Sequence, residues 1–233
     1  MTDLYLYQTV HVARGRALHV AAHAAVLDAA SRDWFGRPYA PDALALAGRI
    51  EALARAERYP TGVSGFVRIE LRPEGEERLV AAGISLYDGY GYRSLQPSGV
   101  TIRYDLPLTD APTSAGEATG LLARQAALRA GAEAAVRCDA GGMLRDVEGA
   151  PLFAVVKRTV LAAPGPASVE REITRRAVEA LGLSYREEGF GANDLRRIDE
   201  LFFTDHRGVT SLSHCNRLPL MIYTAERIAE RLE

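Results

Sequence analysis

The chain has 233 residues, 48% of them hydrophobic and 25% charged, with 28 basic against 30 acidic side chains. That length and balance suit a soluble globular protein with one large core or two modest ones. They exclude a dedicated nucleic-acid binder, which needs concentrated positive charge, and no apolar run reaches the roughly 20 residues of a membrane helix.

The first residues, Met-Thr-Asp-Leu-Tyr-Leu-Tyr, have no basic stretch followed by an apolar core, so no secretory signal is expected. Two cysteines, Cys138 and Cys215, supply no disulfide framework, and a cytoplasmic location follows as the expectation. Leu4 to Val12 reads as a strand turned by Gly15. Ala17 to Trp34 reads as a helix stopped by Gly36-Arg37-Pro38. A second helix starts near Asp42, with Leu46, Ile50 and Leu53 on one face. From Val63 the period becomes two: Val67, Ile69 and Leu71 alternate with Arg68, Glu70 and Arg72. Glu74-Gly75-Glu76 turns the chain, Arg78 to Tyr87 returns, and Gly99 to Tyr104 is a further strand.

Leu106 to Ala115, with two prolines and several turn formers, is the expected connector between two domains, 1–105 and 116–233. A capping box at Ser114 and Glu117 opens a helix over about 116–130. Short strands follow at 134–138, 143–147, 152–156 and 160–162, with Asp139-Ala-Gly-Gly142 as a hairpin turn. Ser168 opens a helix with Val169, Ile173, Ala177 and Leu181 on one stripe, ended by Gly182. Strands at 184–188, 201–204 and 209–212 precede a closing helix over Pro219 to Leu232. The fold class is α/β (α+β) in two domains.

Isolated motifs are weak. His19 and His23 have the spacing of two ligands on one helix face, but the intervening Val-Ala-Ala lacks the metalloprotease glutamate and no third ligand follows, so no metal site is expected. Asp88-Gly-Tyr-Gly-Tyr92 reads as a turn. His214 and Cys215 are neighbours in a strand and point to opposite faces, which prevents a thiol and base from meeting.

An ordered set of segments is more specific. Ala126 to Asp139 is followed by Gly142-Met-Leu-Arg-Asp146, Pro151-Leu-Phe-Ala-Val155, Pro164, Ile173 to Gly182, Asp194-Leu195, Asp199-Glu-Leu-Phe-Phe-Thr204 and Gly208-Val-Thr210. This succession resembles the fold-type IV pyridoxal-phosphate family: branched-chain aminotransferases, D-amino-acid aminotransferases and aminodeoxychorismate lyases. The resemblance runs from about Ala123 to Leu212 and more faintly over Val12 to Leu27. It implies a two-domain homodimer whose chemistry uses a lysine to hold the cofactor and shuttle a proton, a carboxylate beside the pyridine nitrogen, and a phosphate cup.

The family's site carries over incompletely. Its lysine falls within Pro112 to Gly116, where there is no amine; the sole lysine of the chain, Lys157, ends a strand elsewhere. The phosphate arginine maps to Val26. Asp146 stands in place of the pyridine-nitrogen glutamate. The helix start Ser168-Val169-Glu170 and the loop residues His206 and Arg207 stand where the phosphate is held, with Arg171 able to offset Glu170. The resemblance therefore implies a degenerate class IV aminotransferase-like protein without pyridoxal-phosphate transaminase chemistry and without that cofactor. The cleft between its domains is expected to keep a weak site for a small anion. The alternatives are an active aminotransferase or aminodeoxychorismate lyase-like enzyme that binds pyridoxal phosphate through a relocated group, and a lysine-independent enzyme built on His206, Arg207, Asp146 and tyrosines.

Overall fold

The computed structural model describes residues 4–106 and 108–232; residues 1–3 of the expected signal-free start, Pro107 of the expected connector and Glu233 lie outside them. The chain divides into two units. The first takes the described residues up to Gly89 together with 111–115 and 167–169, and the second takes the remainder.

In the first unit, β1 (Leu6–Ala13) turns through Arg14 and Gly15, both at positive φ, into the short β2 (Arg16–Ala17). Helix α1 (Val20–Phe35) follows, with Gly36 as its left-handed stop, donating its N–H to the Ser31 carbonyl. This helix starts later than the sequence reading has it: His19 takes a left-handed conformation at the N-cap and so leaves the helix face shared by His23. Helix α2 (Ala43–Ala56) is capped by Asp42, whose Oδ1 accepts the Ala45 N–H at 2.7 Å. Strands β3 (Gly65–Leu71) and β4 (Glu77–Ile84) complete an antiparallel sheet in the order β2-β1-β3-β4. Leu6, Val10, Val67, Ile69 and Leu71 pack against Leu27 of α1 and Leu46 and Ile50 of α2, as the period-two and helical spacings require. Residues 111–115 belong with this core. Thr113 bridges Leu6, and the Tyr7 N–H donates to the Pro112 carbonyl, so the expected connector is pinned over this stretch.

The second unit begins with β5 (Gly91–Tyr92) and β6 (Ser98–Arg103), then takes α3 (Ser114–Arg129) from Gly116 onward, β7 (Ala134–Cys138), β8 (Leu144–Val147), β9 (Ala150–Val156) and β10 (Thr159–Ala162). Next come α4 (Val169–Ala180), β11 (Ser184–Glu187), a 3-10 turn at Ala192–Arg197, β12 (Glu200–Asp205), β13 (Gly208–Ser211), β14 (His214–Cys215), β15 (Leu218–Pro219) and α5 (Tyr223–Ala229). The strand order is β15-β14-β6-β7-β8-β9-β12-β13-β5, with β10 and β11 branching from β9. Two crossovers, β6-α3-β7 and β10-α4-β11, give parallel pairs; hairpins give most of the rest. Phe153 and Phe202 are cross-strand partners with stacked rings 5.1 Å apart, at zero exposure.

Two readings need correction. Residues 90–103, grouped by sequence with the first domain, pair into the second sheet, β6 lying beside β7 and β5 beside β13; Asp88 to Tyr92 is thus the entry to a strand as well as a turn. The closing helix is short. Pro219 belongs to β15, and α5 starts only at Tyr223, because the carboxylate of Glu200 collects the N–H groups of Thr224 and Ala225 at 2.7–2.9 Å and fixes the start there.

Candidate functional site

The β7–β8 hairpin carries the first group of site residues. Its turn is set by Asp139, whose Oδ1 accepts the Met143 N–H at 2.9 Å, and by Gly142 at φ +84. Val136 pairs with Val147 and Cys138 with Leu144, so Arg145 and Asp146 of β8 together face Arg137 alone. This bulge aims Asp146 at Arg137. Arg137 Nε donates to Asp146 Oδ2 at 2.6 Å, and Nη2 donates to Asp110 Oδ1 at 2.8 Å. The other oxygen of Asp146 accepts the Gly149 N–H at 2.9 Å, from the turn into β9. Burial opposes the charge of Arg137, but Asp146 and Asp110 outweigh it and hold its pKa above the ordinary arginine value. Arg145 stands farther off, 3.5 Å from Asp110 and 3.9 Å from Asp139. Arg137, Asp110, Asp139 and Arg145 border a cavity of about 290 Å³.

The second group lies on the turn between β12 and β13. Arg207 folds back on Asp205: its backbone N–H reaches Oδ1 at 2.8 Å and its Nε reaches Oδ2 at 2.9 Å, with Nη2 on the same oxygen. Burial raises the Asp205 pKa, but His206 and Arg207 outweigh that and hold it below the usual carboxylate value. Gly208, at φ +125, lets the turn press onto β5; a Cβ there would stand 2.1 Å from the Gly91 carbonyl oxygen. Tyr90, just before β5, is buried, and burial pushes its phenol well above the ordinary range, reinforced by the carboxylates of Glu170 and Asp205.

The start of α4 is divided. Ser168 and Val169 count with the first unit and Glu170 with the second. Arg171, expected to offset Glu170, sends its Nη2 to the Ala163 carbonyl at 2.7 Å. Glu172 is held by Arg175 and Arg176, which push its pKa down to about 2. Lys157 sits in the exposed two-residue turn between β9 and β10 at φ +56, where its backbone N–H donates to Asp199 Oδ2 at 2.7 Å. His23 is fully buried against Gln8 Oε1 at 2.9 Å. Cys215 is buried while His214 is exposed, and burial raises the thiol pKa to about 12.

The structure thus brings Asp146 to Arg137 and Asp110, residues the sequence reading leaves unused. Their one signal is an arginine in the middle of Ala-Ala-Val-Arg-Cys, a strand buried along its whole length.

No known family model matches the chain, and no curated protein is significantly similar to it. Solved structures are. A fold IV transaminase from Curtobacterium pusillum superposes with a TM-score of 0.79 at 17% identity, over 97% of this chain and 84% of its own. A branched-chain amino acid aminotransferase from Escherichia coli gives 0.78 at 15%, over 98% and 84%. A putative 4-amino-4-deoxychorismate lyase from Legionella pneumophila gives 0.76 at 13%, over 94% and 85%. The chain has the fold of the fold-type IV aminotransferases, as its ordered segments imply.

Proposed function

We propose that this chain keeps the fold of the class IV aminotransferases without their pyridoxal-phosphate transaminase chemistry. One observation carries the reading: the sole lysine occupies the exposed β9–β10 turn, while Asp146, the residue matched to the pyridine-nitrogen carboxylate, is already bonded to Arg137 and Gly149. A Schiff-base cofactor needs an amine in its pocket and a carboxylate free to meet its ring nitrogen. The residues present do not fit that group. Arg207, the cation of the matched phosphate loop, is likewise engaged by Asp205.

The test is chemical. Incubation with pyridoxal phosphate, borohydride reduction and peptide mapping are expected to give substoichiometric labelling of Lys157, as any exposed amine would. A stoichiometric adduct that supports transamination overturns the reading.

The proposal includes a homodimer, as the resemblance implies. Leu121, Leu122 and Leu128 of α3 are 60%, 71% and 48% exposed among Arg124, Gln125 and Arg129, apolar side chains that a second copy would cover. Light scattering at micromolar concentration is expected to report twice the chain mass; a monomer at every concentration overturns this part.

A further inference from the structure

Arg137 is out of character with its surroundings. It lies at the fourth position of β7, whose five residues are all buried, and its side chain is 4% exposed. A guanidinium in such a place survives only where carboxylates meet it in bonding geometry. Asp146 meets it from the bulge of β8, itself 11% exposed, and Asp110 meets it from the segment before α3. Viewed from Asp146, the same arrangement is a seat for a cation. Oδ1 is fixed by the Gly149 N–H, Oδ2 faces an N–H donor, and Asp110 accepts a second N–H of the same planar group. The guanidinium also borders the cavity of about 290 Å³, with Asp105, Asp110, Asp139 and Arg145. That space holds several waters at ~30 Å³ each, enough to admit a small cation.

We propose that Arg137 is a tethered ligand: Asp146, Gly149 and Asp110 form a binding seat for a planar N–H cation, and the chain fills it with its own guanidinium. The inference rests on the reading that Asp146 does not serve a cofactor. Two carboxylates that each accept a different N–H of one planar group select a forked donor over a point charge. Removing the guanidinium therefore opens a site that the wild-type chain lacks, specific for guanidinium and amidinium groups.

The experiment is a rescue. Arg137→Ala is expected to melt ~10 °C below wild type, as loss of a buried counter-ion does in a chain of this size. Millimolar methylguanidinium should bind the variant in calorimetry and restore at least half of that loss; methylammonium should restore less. Wild type and Arg137→Ala/Asp146→Asn should show no binding. A folded Arg137→Ala that ignores methylguanidinium, or a wild type that binds it equally, overturns the proposal. Arg137→Met/Asp146→Asn removes the guanidinium and the more buried of its two carboxylates at similar volume, leaving Asp110 to Arg145, and should stay within a few degrees of wild type; a fall as large as that of Arg137→Ala overturns it even if the single variant does not fold. The cofactor reading fails separately, through a functional adduct on Lys157 with the rescue still intact.

Discussion

In the first unit the polar groups enclosed by the fold are uncharged in kind and include two bonded pairs: His11 with Ser64, whose hydroxyl oxygen also accepts the Gly89 N–H at 2.7 Å, and His23 with Gln8. The second unit also encloses hydroxyls, such as Thr174 bonded to Thr204, but it adds ions: Arg137 between Asp146 and Asp110, and Glu200 under the start of α5. The difference lies in what each loses when one partner is cut away. A hydroxyl removed from a polar cluster leaves ordinary donors to be desolvated. A guanidinium removed from between two carboxylates leaves uncompensated charge at a largely buried position, at about twice the cost. The first arrangement tolerates substitution; the second ties β7, β8 and the segment before α3 to one side chain.

The contrast is sharpest at Arg137→Ala, expected to cost about 4 kcal/mol in urea unfolding. A loss no greater than that of the first-unit variant below would break the comparison. Gly208→Ala tests the second unit without touching charge. The added methyl meets the Gly91 carbonyl and the backbone is at φ +125, so a loss of about 3 kcal/mol is expected. Amide exchange should place the damage at β13 and β5; protection unchanged there would show that the turn yields easily. Ser64→Ala removes the acceptor of the Gly89 N–H and the partner of His11, for about 2 kcal/mol, read from the melting curve. The smallest effect is Asp42→Ala, which deletes the α2 cap and should cost about 1 kcal/mol. A null result there would mean that packing of Leu46 and Ile50 alone sets the helix start.

Local chemistry made much of the fold legible. Asp42, Gly36 and Gly182 mark helix ends where capping rules put them, and Val67, Ile69 and Leu71 are buried as their alternation requires. The errors sit where distant partners decide. Nothing near β6 says that its neighbour is β7 across α3 rather than β4, and nothing near Pro219 reveals that Glu200 sets where α5 begins. For the candidate site, Asp146 could be singled out through the resemblance, but its partner could not. Arg137 is nine residues away, and the bulge that joins them depends on the whole hairpin being formed.

The branched strand order of the second unit carries a consequence for the order in which the chain can fold during synthesis. Thr101 of β6 bonds Asn216, 115 residues later, and β14 pairs with β6 only once that late segment exists. Until then one edge of β6 stands open, a template for any other nascent strand. The ion cluster follows a different schedule. Asp110, Arg137, Asp146 and Gly149 are all translated within 40 residues, so the hairpin can lock its charges long before the sheet closes. A ribosome-stalled series whose emerged portion ends between residues 150 and 220 would therefore show the β7–β8 hairpin ordered first, and the β14-facing edge of β6 protected from exchange only in the longest members.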